Sequence, residues 1–262
     1  MGWNQLLILF AVALVLCAVG FYKYVYFLSI GYGFAVAGIG AALMILFGKQ
    51  MQAVHFVQCI LFLLYGARLS GFLVAREMKS AAYRKTMKEA TKAEKGMSVF
   101  VKAAIWIFVS ALYVAQTSPV FFRQYNAASD AVLPWIGAAV SACAILLEAL
   151  ADRQKSEQKK QNPNMVATKG LYKIVRCPNY CAEILFWTGV FAGGLTALRG
   201  AGQWSMAVIG YVCIIGIMFN GAKRLETRQL ARYGKLPEYR SYADRTPILL
   251  PLIPLYHLAK EK

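Results

Sequence analysis

Side chains that could bind a charged ligand are concentrated between Glu148 and Glu183. Both acids border apolar runs, at 131–147 and 184–198, that are typical of membrane spans. A charge near the centre of a spanning helix costs roughly 2.5–3.5 kcal/mol, so an acid in such a segment is a candidate functional residue. Between the two acids lie Asp152 and seven Lys or Arg residues. This pattern predicts a cationic loop at a membrane surface, with acids at both ends that could order a polar ligand.

Glu148 and Asp152 are one helical turn apart and therefore share a face of one helix. Neighbouring acids repel each other unless a cation or hydrogen-bond donors lie between them. Arg153 and Lys155 follow at once, so the set fits a network that orders a ligand. In the alternative interpretation the two acids only end the helix, although acids at that end oppose the helix dipole.

A second polar group opens the next apolar run. Its residues with candidate binding roles are Arg176, Asn179, Tyr180 and Glu183. Tyr180, Glu183 and Trp187 recur at helical spacing and are predicted to share a face.

The third apolar run carries polar side chains on one face of the predicted helix. These are His55, Gln58, Tyr65 and Arg68. They fit either a seam of hydrogen bonds between helices or the lining of a polar cavity. Arg68 within a span requires such a cavity or a buried acid, and Glu148 and Glu183 are the candidate partners.

Arginines and tyrosines recur in the segment after the last long apolar run. Those with candidate roles are Arg224, Tyr239 and Tyr242, together with the acid Glu226. Two interpretations are open, since such side chains anchor proteins at membrane surfaces and also clamp phosphate groups. The final apolar stretch, 248–258, contains two prolines, which predicts an interfacial segment and not an eighth span.

The elements that must position these residues are membrane helices. Of the 262 residues, 59% are hydrophobic and 16% are charged, whereas soluble domains carry about 25% charged residues. Seven apolar windows have the length of about 20 residues that crosses a hydrocarbon core. They lie at 5–22, 27–47, 53–75, 98–120, 131–150, 180–198 and 204–221. The sequence therefore predicts an all-α membrane protein with seven transmembrane helices.

Basic residues are unevenly distributed, with 24 of the 29 Lys and Arg residues in the segments 76–102, 153–176 and 223–262. Cytoplasmic loops carry such an excess, so the N-terminus is predicted to lie outside and the C-terminus in the cytoplasm. Topology and attraction to anionic lipids account for the net charge of +17, and a nucleic-acid role is not expected. The first window lacks the basic start and cleavage site of a signal peptide, and we interpret it as a retained span.

Two glycine-containing segments, 29–33 and 38–42, lie in the second window. No strand can precede them there, so close helix packing through small residues is predicted and not a dinucleotide-binding loop. Six Cys residues without a CxxC pair and two His residues do not indicate a metal site, and none is predicted.

Three motifs together resemble the steroid 5α-reductase-like family of membrane reductases, in particular its bacterial branch and its 3-oxo-5α-steroid 4-dehydrogenase-like C-terminal domain. They are Ala-Asp-Arg-Gln at 151–154, Arg-Cys-Pro-Asn-Tyr-Cys-Ala-Glu at 176–183 and Tyr-x-x-Tyr-x-x-Arg-Thr at 239–246. A weaker likeness continues upstream at Tyr65-x-x-Arg68 and in the loop 76–84.

The resemblance implies one integral membrane domain over residues 1–262, with spans 1–75 on the substrate side and 131–262 as the cofactor-binding part. It implies NADPH as the cofactor and hydride addition to a C=C bond conjugated to a carbonyl, in a steroid or another lipid-soluble enone. The cofactor-binding residues carried over by motif are Glu148, Asp152, Arg176, Asn179, Tyr180, Glu183, Arg224, Glu226, Tyr239 and Tyr242. The bacterial branch implies the inner (cytoplasmic) membrane.

Reduction of an enone also needs a donor that polarises the carbonyl as charge develops on its oxygen. The resemblance implies a tyrosine of the third span paired with a glutamate of the second. Tyr65 matches the tyrosine, but the chain has no acid before Glu77. The candidate replacements are Tyr32, Gln58 and His55, of which Tyr32 lies nearest to the position of the family's glutamate.

Two other functional classes stay open. The Arg-x-Pro-x-Tyr turn is similar to that of isoprenylcysteine-type membrane methyltransferases, which use S-adenosylmethionine. The segment Ala-Asp-x-Gln favours the reductase. A non-catalytic lipid-binding membrane protein is the third class. The expected partners are membrane lipids and a lipid-soluble small molecule, and the oligomeric state is not indicated.

Overall fold

The computed structural model describes residues 2–79, 83–84, 87–88, 91, 96–129 and 132–259. Within these ranges the chain forms α-helices joined by loops and short 3₁₀ turns, and no β-strand. The helices are α1 (Trp3–Cys17), α2 (Ile30–Phe47), α3 (Ala53–Lys79), α4 (Val99–Tyr125), α5 (Val132–Gln161), α6 (Pro178–Gly194), α7 (Gly200–Tyr233) and α8 (Pro237–Arg245). The predicted all-α class is confirmed for this part of the chain.

Six of these helices are long and apolar enough to cross a membrane. They are α1 with an extension to Phe21, α2 with an extension to Gln50, α3, α4, α5 and α7. The protein is therefore a multi-pass integral membrane protein. The sixth predicted span corresponds to α6, whose 17 residues extend over roughly 26 Å, less than a typical hydrocarbon core. Seven spans thus stay a prediction.

Three helices continue beyond their predicted apolar windows. α3 ends at Lys79, α5 at Gln161 and α7 at Tyr233. The predicted ends were placed where hydrophobicity falls, but Lys, Arg, Glu and Gln are good helix formers and prolong a helix into water. Asp152 and Glu226 are consequently held on continuous helices and not on loops.

The chain divides into two compact units. The first comprises Met1–Ala138 and Val190–Tyr211, and the second comprises Ala139–Gly189 and Val212–Lys262. All residues predicted to bind a cofactor belong to the second unit. The three residues predicted to be catalytic belong to the first.

In the first unit, α2 and α3 pack with their backbones in contact. A Cβ atom on Gly66 would lie 2.1 Å from the Gly33 carbonyl oxygen, and one on Gly40 would lie 2.9 Å from the Cβ atom of Phe62. Any larger residue would push the helices apart. The prediction that glycines of the second span serve helix packing is therefore confirmed.

In the second unit, the segment after α8 runs beside the start of α6. The N–H groups of Arg176 and Cys177 donate to the carbonyls of Pro247 and Ile248, both at 2.9 Å. The stretch 248–258 is not helical, as its two prolines predicted. The C-terminal segment is thus part of the folded second unit.

Candidate functional site

Two motif residues predicted to bind a cofactor are in direct contact in the second unit. The side-chain amide of Asn179, in the first turn of α6, donates a hydrogen bond to a carboxylate oxygen of Asp152 on α5 at 2.6 Å. The Tyr172 hydroxyl donates to the amide oxygen of Asn179 at 3.1 Å. Both ends of the amide are therefore bonded, which fixes its orientation between α5 and the loop before α6.

The basic loop between α5 and α6 is held by two glutamines of α5. The side-chain oxygen of Gln154 accepts from the Leu171 N–H at 2.8 Å, and that of Gln158 accepts from the Lys169 N–H at 2.9 Å. Gly170, between these contacts, has a φ of +67° that favours glycine, and a Cβ atom there would lie 2.3 Å from Gln154 Oε1. Neutral amides order the loop, and Lys169 stays exposed to solvent.

Helix α8 adds two tyrosines to this region. The Tyr242 hydroxyl donates to the Tyr172 carbonyl oxygen at 2.6 Å, and burial raises the pKa of Tyr242. Tyr239 is completely buried, and burial raises its pKa to about 12 while the charge of Arg176 acts in the opposite direction. Both phenols are therefore neutral at physiological pH, and Tyr242 acts as a hydrogen-bond donor.

Arg176 and Glu226, both predicted to bind a cofactor, form a buried ion pair. Arg176 Nη2 lies 2.7 Å from Glu226 Oε1, and the two side chains are 1% and 0% exposed. Arg176 also donates to the Tyr256 carbonyl, and Glu226 Oε2 accepts from the N–H groups of Leu258 and Ala259, each at 2.7 Å. The pair thus binds the C-terminal segment of its own chain. Its role toward a cofactor stays a prediction.

The other predicted cofactor residues differ in exposure. Glu148 is buried on α5, whereas Arg224 is exposed on α7. Glu183 is buried, and its carboxylate accepts from the indole N–H of Trp187 at 2.9 Å, which confirms their predicted common face. Tyr180 is half-buried, and its ring lies beside Gly221 of α7.

An open cleft of about 490 Å³ lies beside Tyr242. One side is formed by the loop that follows α5, through Asn162 and Thr168. The other side is formed by α8 and the residue after it, including Arg245 and Thr246. The volume lies within the range of about 300–1,000 Å³ that ligand sites have.

In the first unit, two of the predicted catalytic residues meet where α2 packs on α3. Tyr32 and Tyr65 are buried, with ring centroids 5.9 Å apart and ring planes at 73°. Tyr113 of α4 packs against Tyr32 at 4.7 Å, and its hydroxyl donates to the Phe27 carbonyl at 2.8 Å. The structure therefore brings Tyr32 and Tyr65 together, as the family resemblance implied, and their catalytic role stays a prediction.

Gln58, the third predicted catalytic residue, lies at another level of α3. It precedes Tyr65 by two helical turns, which corresponds to roughly 10 Å along the axis. Its side-chain nitrogen is buried and has no hydrogen-bond partner in the described ranges. With His55 and Arg123 it lines a small cavity of the first unit. The structure does not bring Gln58 to the tyrosine pair, and its catalytic role stays a prediction.

Glu77, the first acid of the chain, is engaged away from the tyrosine pair. The Tyr26 hydroxyl donates to Glu77 Oε2 at 2.6 Å, and the Lys23 ammonium forms an ion pair with Oε1. Glu77 follows Tyr65 by more than three helical turns, or roughly 18 Å along α3. These contacts fasten the connection between α1 and α2 to the end of α3.

The family model described as protein of unknown function (DUF1295) matches residues 12–246. The chain belongs to the DUF1295 family. No curated protein and no solved structure matches it. In this DUF1295 protein the matched range contains Asp152, Asn179 and Tyr242, and it ends before the residues 256–259 that bind Arg176 and Glu226.

Three residues of the DUF1295 chain that hold these contacts were not predicted from the sequence. Tyr172 is one, although an aromatic residue within a basic loop was a usable signal. The others are His257 and Asp244, since His257 lies 3.0 Å from both Glu226 Oε1 and Asp244 Oδ1. The signal for His257 was its position in the apolar stretch 248–258 as one of only two histidines in the chain.

Proposed function

We propose that this protein is an NADPH-dependent membrane oxidoreductase that acts on CH–CH groups. Its reaction is reduction of a C=C bond conjugated to a carbonyl, in a steroid or another lipid-soluble enone. The motifs support this proposal because, in combination, they resemble the steroid 5α-reductase-like family. The structural observation that supports it best is the 2.6 Å hydrogen bond between Asp152 and Asn179, which joins two of those motifs.

The residues present fit the cofactor that the proposal requires. A dinucleotide with several phosphates needs cationic donors and neutral donors close together. The cleft beside Tyr242 has a suitable volume for one nucleotide half of the cofactor, and Arg224 and Lys169 are exposed cations of the second unit. The residues proposed to hold the cofactor are Glu148, Asp152, Asn179, Tyr180, Glu183, Arg224, Tyr239 and Tyr242, with Arg176 and Glu226 acting through their buried pair. NADPH, when bound, supplies the hydride.

On the substrate side, we assign the donor role to Tyr65. Hydride addition to the β-carbon leaves negative charge on the carbonyl oxygen, and a phenol hydroxyl directed at that oxygen stabilises it. Tyr32 packs edge to face against Tyr65 and is the proposed second donor. Gln58 is proposed as a further donor, since its side-chain nitrogen has no hydrogen-bond partner in the described part of the chain.

We further propose seven spans, with the N-terminus outside, the C-terminus in the cytoplasm and the protein in a bacterial inner membrane. The partition of Lys and Arg residues supports this topology. A short helix such as α6 crosses a bilayer when the bilayer thins locally, at a modest energetic cost. The bacterial branch of the resembled family supports the choice of membrane.

Ligand titration tests the proposed function. The full-length protein in detergent is titrated by calorimetry with NADPH and, separately, with S-adenosylmethionine. We expect saturable NADPH binding and oxidation of the bound NADPH when a lipid enone is added. Binding of S-adenosylmethionine alone would instead assign the chain to the methyltransferase class. Binding of neither compound would support the non-catalytic lipid-binding class.

A further inference from the structure

The cleft beside Tyr242 presents donors that the second unit does not use itself. Arg245, the last residue of α8, is exposed, and no hydrogen bond or ion pair joins its guanidinium to another residue in the described ranges. The hydroxyls of Ser241 and Thr246 line the same cleft and are likewise unbonded to any described residue. Such a set of free donors, on a helix that is itself anchored by buried Tyr239, is suited to an anionic group through the charge of Arg245 and the two hydroxyls.

The cleft also carries a carboxylate, which favours a ligand that has hydrogen-bond donors as well as an anionic group. Glu238 lines it from the first turn of α8, seven residues before Arg245 and therefore roughly 10 Å away along the helix axis. A free phosphate would gain nothing from that acid and would be repelled by it. A ligand with an anionic group at one end and hydroxyl or amino donors at the other uses both charges. A phosphorylated nucleoside has this arrangement.

Apolar surface completes the match to a nucleoside. Met165 and Tyr242 line the same cleft as Glu238 and Arg245. A nucleobase can stack on an aromatic ring or pack against a methionine side chain, and this contact depends little on which base it is. The volume of about 490 Å³ accommodates one nucleoside with its phosphate.

We propose that this cleft binds the adenosine 2′-phosphate end of the dinucleotide. Arg245 and Thr246 contact the 2′-phosphate, and Glu238 accepts from donors of the adenosine. The inference rests on the proposed function and extends its site to Glu238, Arg245 and Thr246, which are not among the residues assigned to the cofactor by motif. It also gives the second unit a means of choosing NADPH over NADH, since the two differ only in that phosphate.

Affinity ratios test the proposal. The full-length protein in detergent is titrated by calorimetry with NADPH, NADH and adenosine 2′,5′-bisphosphate. Arg245→Ala should weaken binding of NADPH and of the bisphosphate by roughly tenfold or more, and leave NADH binding unchanged. Arg245→Lys should bind NADPH and the bisphosphate with affinities between those of the parent protein and of Arg245→Ala, because an ammonium keeps the charge and loses the bidentate geometry.

Two further variants separate specific contacts from general charge. Arg228→Ala removes an equal charge from an exposed site of α7 outside the cleft, and should change none of the three affinities. Glu238→Gln should weaken NADPH and NADH by equal factors, because both contain the same adenosine. The three positions changed, Arg228, Glu238 and Arg245, are all exposed, so the variants are expected to fold.

The possible failures are distinguishable. If the parent protein binds NADPH but Arg245→Ala keeps the parent ratio of NADPH to NADH affinity, the 2′-phosphate assignment is wrong and the proposed function stands. Equal loss of NADPH and NADH binding in Arg245→Ala contradicts the assignment in the same way. A parent protein that binds neither dinucleotide overturns the proposed function, and this inference with it.

Discussion

The Asn179 amide donates a 2.6 Å hydrogen bond to the Asp152 carboxylate across 27 residues of chain. The bond joins α5 to the first turn of α6, and the Tyr172 hydroxyl holds the opposite end of the same amide at 3.1 Å. A bond to a carboxylate is shorter and stronger than one between neutral groups. The hydrogen bond therefore couples the position of the Asp152 carboxylate to that of the Asn179 amide.

Asp152→Ala and Asn179→Ala should each weaken NADPH binding by roughly tenfold or more, because a hydrogen bond to a charged group contributes about 1.5–3 kcal/mol. Calorimetric titration of the folded, monodisperse variants measures the change. Arg153→Ala is the matched control, since Arg153 is the next residue of α5, is exposed and pairs with Glu157 on the same helix. Parent affinity in both test variants would remove the two residues from the cofactor site.

Arg176→Ala should destabilise the protein by roughly 3–5 kcal/mol, because it removes the buried guanidinium that balances the charge of buried Glu226. The double change Arg176→Met with Glu226→Leu should cost less than the single change, since it leaves no unpaired charge. Thermal unfolding in detergent compares the variants. The exposed pair Arg153 and Glu157 serves as control, and its removal should change stability by less than about 1 kcal/mol. A parent-like midpoint for Arg176→Ala contradicts the prediction.

Reporter fusions after Arg123 and after Arg245 should lie on opposite sides of the membrane. Three predicted spans, at 131–150, 180–198 and 204–221, separate the two positions, and an odd number of crossings changes sides. The fusion after Arg245 should report the cytoplasm, as its basic segment predicts. If both fusions report the same side, α6 does not cross, and the seven-span topology is wrong.

Tyr65→Phe should bind NADPH with parent affinity and lose roughly 10²–10³-fold in enone reduction, since one donor to the developing oxyanion is removed. Tyr32→Phe should lose a smaller but measurable part. Single-turnover oxidation of bound NADPH by a lipid enone measures both. Tyr211→Phe is the control, because Tyr211 stacks on Phe191 at 4.6 Å, away from the contact of α2 with α3. A Tyr65→Phe protein that reduces the enone at the parent rate would exclude Tyr65 from the mechanism.

The helical class and the membrane location could be predicted because hydrophobicity over about 20 residues is a local property of the chain. Close packing of the second span was predictable for a similar reason, since closely spaced glycines let another helix approach its backbone, but only the structure shows that this helix is α3. Helix ends were predicted less well. Beyond the apolar windows, α5 and α7 continue because of helix propensity and tertiary packing, which a hydrophobicity window does not report.

For the candidate site, the sequence by itself determined which residues carry charge and which motifs they occupy. Only the tertiary structure decided that Arg176 pairs with Glu226, 50 residues away, and that the pair binds the segment 256–259. Many acids could have served Arg176 by sequence alone. A charged side chain is tolerated in the interior only beside a partner of opposite charge. Which residue lies beside it depends on how helices that are distant in sequence pack together.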